Sequence, residues 1–233
     1  ANSQGVFFKW GSLVAISPAA LSGASTAYVA KKYPDGHILF DPRPTGITYN
    51  YAYTSIPYIS ETSGQFGNNA TTEDDFAAYE NGVGYNESDG KGDICRYISK
   101  QGWVSGSWHL PTADEIDKLI LEGNVSNGFS PSAVTVLSGD ANAYGNYNTD
   151  YGRWLGVGAS TSSGVASPSG GVFFPAGGCR STDGTANAAG GYGFYWSGSS
   201  STTDGYHLYV NSSTASWGGN YRRCSFPVRC VRE

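Results

Sequence analysis

The stretch Gly205-Tyr206-His207-Leu208-Tyr209-Val210-Asn211 alternates between two kinds of side chain with a period of two residues. That period is typical of a β-strand, whose successive side chains point to opposite faces of a sheet. One face is expected to enter the core, and it carries Tyr206, Leu208 and Val210. The other face is polar and partly aromatic, and it carries His207, Tyr209 and Asn211. The sequence therefore predicts a sheet with one covered face and one face open to a partner.

Short runs of aromatic and branched residues elsewhere in the chain predict further strands. These runs are separated by Gly, Ser, Asn and Asp, which favour turns. The first strand is expected at residues 5–16, where Pro18 stops the pattern. The others are expected at residues 133–137, 171–175, 193–197 and 226–231.

One helix is strongly indicated by the stretch Thr112-Ala113-Asp114-Glu115. This is a capping box, in which the Thr and Glu side chains each bind the other residue's backbone N–H group. Gly123 then ends the helical pattern. Its apolar face is formed by Ile116, Leu119 and Ile120. A shorter helix is expected at residues 72–79, where a Thr precedes an acidic first turn.

The composition of the 233 residues fits this mixture of strands and turns. Glycine contributes 33 residues, and Tyr, Phe and Trp contribute 17, 10 and 6. Charged residues make up 14% of the chain, well below the usual level of about 25%. These values disfavour a helical bundle and predict an α+β fold, which we expect to form a single domain over residues 1–233.

Charge and hydropathy exclude two classes of partner. The formal net charge is −5 and the basic residues form no long run, so nucleic-acid binding is not expected. No apolar stretch approaches the roughly 20 residues that span a bilayer, so no transmembrane segment is predicted. The chain begins at Ala1 and contains no Met, which suggests that a targeting segment has been removed. These features favour an exported protein of the cell surface or the extracellular space.

The chain has four cysteines, and their spacing matches no zinc-binding motif. Their even number permits two disulfides in any of three pairings. Cys224 and Cys230 lie six residues apart, so on an extended chain they share a face and each can meet a different partner. We predict disulfides between Cys95 and Cys230 and between Cys179 and Cys224.

Motifs of catalysis and of cofactor binding are absent from the sequence. It contains no HExxH, no GxSxG, no phosphate-binding loop and no GxGxxG motif. His37, His109 and His207 lie in separate segments without a nucleophile or a carboxylate at the spacing of a dyad. The acidic stretch at residues 86–93 lacks the spacing of a calcium loop and is read as a solvated turn. We expect no cofactor, no metal site and no enzymatic activity.

The polar face of residues 205–211 continues into Ser216-Trp217-Gly218-Gly219-Asn220-Tyr221-Arg222-Arg223. Aromatic and Arg side chains alternate here with small polar ones. Tyr and Trp give a large contact area at a small entropic cost, while Ser, Asn and Gly adapt their hydrogen bonds to a partner. This composition predicts a recognition surface, although an ordinary solvated sheet face is the alternative.

Several stretches in a fixed order resemble one family, the "major paralogous domain" of surface proteins of Bacteroidetes and Fibrobacter. This family is similar to the C-type lectin-like fold that formylglycine-generating enzymes share. The opening residues 7–13 also look like the first strand of such proteins. The stretches that carry the resemblance are Gly92-Asp93-Ile94-Cys95-Arg96-Tyr97, Trp108-His109-Leu110-Pro111-Thr112-Ala113-Asp114-Glu115, Phe194-Tyr195-Trp196-Ser197, residues 206–211 and Phe226-Pro227-Val228-Arg229-Cys230-Val231.

The resemblance implies a C-type lectin-like α+β domain with one or two helices and many loops. It divides the chain into a strand and loop region at residues 1–91 and a motif-dense core at residues 92–233. It further implies that the first and last strands pair, that the helix after Pro111 packs on the sheet, and that Trp196-Ser197 and Arg229-Cys230-Val231 are scaffold. His109 stands where the family usually has Arg, so an ion pair made by that Arg is not implied for this chain.

Three relatives of this family imply different functions. The calcium-binding motifs of sugar-binding C-type lectins do not occur here, and the surroundings of Cys224 and Cys230 do not match the cysteine pair of formylglycine-generating enzymes. Variable proteins diversified by retroelements display changeable residues on the last strands of this fold. By that resemblance the recognition set is His207, Tyr209, Asn211, Ser216, Trp217, Asn220, Tyr221 and Arg223.

The function expected from residues and resemblance together is non-catalytic ligand binding or adhesion at the cell surface. The partner would be a protein or glycan on another cell or in a host. A structural fimbrial subunit of the tip or shaft, with pilin subunits as partners, is the alternative. A formylglycine-generating type of oxidase is the least favoured reading.

Overall fold

The computed structural model describes residues 6–16, 26–28, 50–60, 74–122, 129–131, 151–155, 172–211 and 214–233. Within these residues the chain forms one single-turn segment and two longer helices. They are α1 (Tyr79–Gly82), α2 (Ile94–Lys100) and α3 (Ala113–Glu122). None of the helices in this part of the chain has the length and apolar character needed to cross a bilayer.

Short strands lie throughout the rest of the described chain and pair in small antiparallel sheets. Helices and antiparallel strands in separate segments make the protein an α+β protein, as the sequence predicts. In chain order the strands are β1 (Phe8–Lys9), β2 (Thr26–Tyr28), β3 (Asn50–Ala52), β4 (Tyr85–Asn86), β5 (Lys91–Gly92), β6 (Trp108–His109), β7 (Phe129–Pro131), β8 (Tyr151–Leu155), β9 (Val172–Pro175), β10 (Cys179–Arg180), β11 (Ala186–Asn187), β12 (Gly193–Ser200), β13 (Asp204–Val210), β14 (Ala215–Tyr221), β15 (Ser225–Phe226) and β16 (Val231–Arg232).

The longest strands form a three-stranded meander in the order β12-β13-β14. The predicted strands at residues 193–197 and 206–211 correspond to β12 and β13, and the predicted strand at 171–175 corresponds to β9. β14 was not predicted as a strand, because its glycines and small polar residues carry no alternating apolar pattern. The predicted strand at residues 133–137 lies outside the described residues.

Both faces of the meander are covered, which departs from the one-sided burial that the alternation predicts. On one face Leu208 and Val210 pack with Ile116 of α3 and with side chains of β8, β9 and β12. On the other face Trp196 and Phe226 stack with ring centroids 4.0 Å apart, inside the main hydrophobic cluster. The meander is therefore the layer between two apolar clusters, and His207 of its predicted polar face lies in the interior.

The capping box at the start of α3 is confirmed. The Thr112 hydroxyl accepts the Glu115 N–H at 3.2 Å, and a Glu115 carboxylate oxygen accepts the Thr112 N–H at 2.8 Å. The same carboxylate lies 2.9 Å from Nε2 of His109. His109 therefore ties β6 to the first turn of α3.

The second long helix, α2, was not predicted as a helix, although its sequence lies in one of the quoted stretches. Asp93 caps it, and its side chain accepts the backbone N–H groups of Cys95 at 2.7 Å and Arg96 at 3.2 Å. The same carboxylate accepts the Leu110 N–H at 2.8 Å. Asp93 is fully buried, so one side chain fixes both the start of α2 and the chain after β6.

The prediction of a single strand at residues 5–16 is wrong. The chain reverses after β1, and Phe7 and Ile16 exchange both backbone hydrogen bonds, at 2.8 and 2.7 Å. Gly11 makes the reversal possible, because its φ is +65° and a Cβ there would lie 2.7 Å from Ile59. The expected helix at 72–79 is also wrong for its described part, where residues 75–78 form turns and only the single turn α1 follows.

The predicted strand at residues 226–231 is in fact two strands, β15 and β16. Pro227 follows β15 and has no N–H to donate to a sheet. β15 pairs with β1, with Phe226 opposite Phe8, whereas β16 pairs with β6. Phe8 of the predicted first strand thus pairs with Phe226 of the predicted last strand, as expected, whereas the final strand β16 pairs with β6 instead.

One of the two predicted disulfides is present. Cys95 and Cys230 are bonded across 135 residues and join α2 to the segment before β16. Cys179 and Cys224 are free thiols, so the second predicted disulfide is wrong. Arg180 pairs with Ser225 in the antiparallel register, which sets Cys179 diagonal to Cys224. Diagonal positions are about 7–8 Å apart, beyond the usual span of a disulfide.

Candidate ligand-binding surface

β14 forms an edge of the meander and presents two large aromatic side chains. The register of β13 and β14 puts Trp217 opposite Leu208 and Tyr221 opposite Asp204, so both rings project from the same face. Trp217 is 38% exposed and Tyr221 is 55% exposed. Gly219 lies between them on that face, and a Cβ there would lie 3.2 Å from the Cβ of Asp204.

The rings rest on a fixed support. Trp217 packs edge-on against Tyr206, with ring centroids 5.0 Å apart. Tyr221 lies beside the Arg223 guanidinium, which is 5.2 Å from the ring centroid. Seven residue pairs hold β14 in register with β13, from Val210 and Ala215 at one end to Asp204 and Tyr221 at the other.

The end of β14 is anchored by Arg222, a residue that the sequence analysis did not single out. Its side chain is buried, lies 4.4 Å from the ring centroid of Trp10, and donates to the Ser200 hydroxyl at 3.1 Å and to the Ser201 carbonyl at 2.6 Å. Arg223 next to it is exposed. The two arginines lie in the turn after β14, which the Cys224 N–H closes on the Tyr221 carbonyl at 2.9 Å, and no local pattern in the sequence separates the buried one from the exposed one.

The eight predicted recognition residues divide by their exposure. Ser216, Trp217, Tyr221 and Arg223 are exposed. Ser216 lies opposite Tyr209, on the other face of the sheet from Trp217, which lies opposite Leu208, so the predicted set does not share one face. We call Trp217, Tyr221 and Arg223 the β14 surface. Three others are half-buried, namely Tyr209, Asn211 and Asn220.

His207 is 4% exposed, which corrects its assignment to the open face. Its ring centroid lies 5.1 Å from that of Phe226 and 5.9 Å from that of Trp196. Burial in these aromatic surroundings lowers the pKa of His207 to about 4, so the ring is neutral at physiological pH. A neutral, enclosed imidazole is a packing element and has no access to a ligand.

Tyr209 and Asn211 form a supported cluster at the other end of the meander. The Tyr209 ring stacks on Tyr192 with centroids 5.6 Å apart, and the Asn211 amide donates to the Tyr209 hydroxyl at 2.8 Å. The Asn211 side-chain oxygen accepts the Thr214 N–H at 2.8 Å and so closes the turn between β13 and β14. These two side chains stabilise the hairpin that carries the β14 surface.

The free thiols belong to Cys179 of β10 and to Cys224, which lies between β14 and β15. Burial raises the pKa of Cys179 to about 12 and that of Cys224 to about 11. A thiol with so high a pKa is protonated at neutral pH and is a poor nucleophile. Cys230 is held in the disulfide with Cys95, so Cys224 and Cys230 do not form a dithiol pair.

Comparison with protein-family models, with curated proteins and with solved structures finds no match for this chain. In the part of the chain that the structure describes, no three His, Cys, Asp or Glu side chains come together as a metal site.

Proposed function

We propose that this protein is a non-catalytic ligand-binding or adhesion domain of C-type lectin-like architecture that acts at the cell surface. The observation that carries the proposal is the pair of exposed rings of Trp217 and Tyr221 on one face of an edge strand. Aromatic side chains of this kind dominate the energy of recognition surfaces, because they combine a large area with few rotatable bonds. The partner is a protein or glycan of another cell or of a host.

Rigidity of the support favours binding. Ordering a mobile loop on binding would reduce affinity, whereas a surface held in place before binding avoids that loss. The register of β13 and β14, the anchored Arg222 and the Tyr209–Asn211 hydrogen bond all hold the β14 surface in one conformation.

The cysteines support the absence of catalysis and the exported location. The chemistry of a formylglycine-generating oxidase needs a reactive thiol, whereas burial keeps Cys179 and Cys224 protonated. The Cys95–Cys230 disulfide is typical of proteins that fold in an oxidising compartment.

The test replaces both rings of the β14 surface by alanine. We expect Trp217→Ala with Tyr221→Ala to abolish capture of ligands from an array of immobilised oligosaccharides and peptides, probed with and without calcium. The melting temperature should move by less than about 4 °C, because both rings are partly exposed. Val83→Ala is the control, since Val83 is 47% exposed on a different part of the surface. Undiminished capture by the double variant would contradict the proposal.

A structural fimbrial subunit is the second candidate, and the free edge of β14 favours it. Among the described residues β14 pairs with β13 alone, so its other edge is available for strand addition from a second chain. Purified pilin subunits mixed with the protein should then co-migrate with it in size-exclusion chromatography. Separate elution of the two would count against this candidate.

A further inference from the structure

A cavity of about 490 Å³ opens beside the β14 surface. Its walls come from β1, from the 3-10 turn Tyr53–Ser55 with the chain that follows it, from the turn after β10, and from the residue two positions beyond β14. We call it the Lys9 cleft, and its lining residues are Lys9, Thr54, Tyr58, Thr182, Asp183 and Arg223. Its volume lies within the range of small-ligand sites, about 300–1,000 Å³.

Lys9 is a buried cation without a carboxylate partner. It is 2% exposed, and its Nζ atom donates to the Tyr53 carbonyl oxygen at 2.7 Å and to the Ile56 carbonyl oxygen at 3.5 Å. The same atom lies 4.5 Å from the ring centroid of Tyr53 and 4.9 Å from that of Tyr58. No carboxylate of the described residues lies within ion-pair distance of it. A charge held in this way is expensive to bury unless something else compensates it.

The other charges of the cleft leave it positive. Arg223 makes no ion pair with a carboxylate in the described part of the chain, and its guanidinium faces Tyr221. Asp183 is the one acidic residue of the lining, and its carboxylate accepts the Thr185 N–H at 2.9 Å in its own turn. Two cations and one anion give the lining a net charge of +1, in a chain whose net charge is −5.

The neutral residues that line the cleft carry hydroxyl groups. Thr54, Thr182 and Tyr58 each supply one, and each hydroxyl can both donate and accept. This set suits a ligand that itself carries many hydroxyl groups. The exposed Tyr221 ring adjoins the cleft through Arg223 and can stack on the apolar face of a sugar ring.

We infer that the Lys9 cleft binds the carboxylate of an acidic saccharide, with Lys9 and Arg223 as its cationic partners. The inference rests on the proposed ligand-binding function and names the class of its ligand. The carboxylate lies between the two cations, the threonine hydroxyls bind sugar hydroxyls, and the saccharide extends from the cleft onto Tyr221.

The test measures binding of paired probes to the full chain by calorimetry and on an array. The acidic probes are oligosaccharides ending in glucuronate or galacturonate, and their matched neutral probes end in glucose or galactose. We expect the acidic probes to bind and the neutral probes to bind about tenfold or more weakly, since an unpaired buried charge remains when the carboxylate is missing. Free acetate and a glutamate-rich peptide are the further probes.

Two variants examine the cationic partners separately. Lys9→Met and Arg223→Gln should each weaken binding of the acidic probes about tenfold or more and leave the neutral probes unchanged. Lys100→Met is the matched control, because Lys100 is exposed and lies outside the cleft. Arg223 is also exposed, so Arg223→Gln keeps its fold and tests the cleft even if Lys9→Met does not fold.

Binding should also weaken as the pH rises through about 8. Burial, with a smaller effect of Arg223, lowers the pKa of Lys9 to about 8, so the cation is lost above that pH. The groups that face Lys9 are Arg223, Cys224, Asp183, Tyr53 and Tyr58. The Lys9→Met variant should lose this pH dependence.

Several outcomes would overturn the inference. Equal affinity for acidic and neutral probes would show that the carboxylate is not recognised. Failure of every acidic probe to bind would show that acidic saccharides are not the ligand. Preferential binding of the glutamate-rich peptide, with the same sensitivity to Lys9→Met, would assign the cleft to a protein ligand. If the Trp217 and Tyr221 double variant abolishes capture while Lys9→Met and Arg223→Gln do not, the inference fails and the proposed function stands. Capture that is indifferent to the double variant contradicts the proposed function itself.

Discussion

Single side chains decide which parts of the meander are open. His207 and Trp217 occupy neighbouring strands of one sheet, yet His207 is 4% exposed and Trp217 is 38% exposed. The alternation of residues 205–211 correctly separates the two faces. It does not reveal that the β15 side of the sheet is covered, because that cover comes from Phe226, which is distant in sequence. Exposure at this scale depends on long-range contacts that no local pattern contains.

The buried imidazole makes stability depend on pH. The folded-state pKa of His207 is about 4, below the roughly 6.5 of an unfolded histidine. Between these values the unfolded chain binds a proton that the folded chain does not, so the free energy of unfolding falls as the pH falls. The free energy of unfolding of the wild type should therefore fall between pH 7 and pH 5. We expect this fall to be about 1–2 kcal/mol smaller in His207→Phe.

Urea denaturation of both proteins at the two pH values checks this expectation. Burial raises the pKa of Asp75 to about 6, which acts with the opposite sign, but its contribution is the same in both proteins and cancels in the difference. Parallel pH profiles of wild type and variant would show that His207 is not the titrating group.

At the scale of elements, one carboxylate organises two segments. Asp93 accepts three backbone N–H groups, two at the start of α2 and one at Leu110. We expect Asp93→Ala to lower the free energy of unfolding by about 2–4 kcal/mol, because it removes a helix cap and leaves buried N–H groups unsatisfied. Denaturant titration at pH 7 measures this loss. Asp114→Ala, an exposed position in the first turn of α3, should change it by less than about 0.5 kcal/mol, and equal losses for both variants would refute the capping argument.

The two helices show what the sequence can predict about elements. α3 was predicted because Thr112 and Glu115 form a reciprocal cap, followed by apolar residues at helical spacing. α2 has seven residues and an Asp cap but lacks the reciprocal Glu, so its local signal is weaker. The edge strand β14 has no apolar alternation, and in the part of the chain that the structure describes its pairing with β13 defines it.

At the scale of the whole molecule, the Cys95–Cys230 disulfide connects segments that are 135 residues apart in the chain. Closing so long a loop strongly restricts the unfolded chain. We expect Cys95→Ser with Cys230→Ser to lower the free energy of unfolding by about 3–5 kcal/mol, as measured by denaturant titration under non-reducing conditions. Cys179→Ser is the control, since Cys179 is a free thiol. A double variant as stable as wild type would contradict this estimate of the disulfide's contribution.

The α+β class and this disulfide could be predicted from the sequence, but the path of the N-terminal segment could not. The N-terminal segment was predicted as one strand because its residues are apolar throughout. In the structure Gly11 reverses it, and β1 then pairs with β15. The Lys9 cleft was not predicted either, since its cations are more than 200 residues apart in sequence and only this pairing brings them together.

The same disulfide also determines how the molecule responds to mechanical force. When the chain is pulled from both ends, the tension passes from Cys95 to Cys230 through the disulfide bond. Residues 96–229 form a covalently closed loop outside that line of force, and β12, β13 and β14 lie within it. Such tension stretches the segments before Cys95 and after Cys230, while the three strands of the meander carry none of it along the backbone.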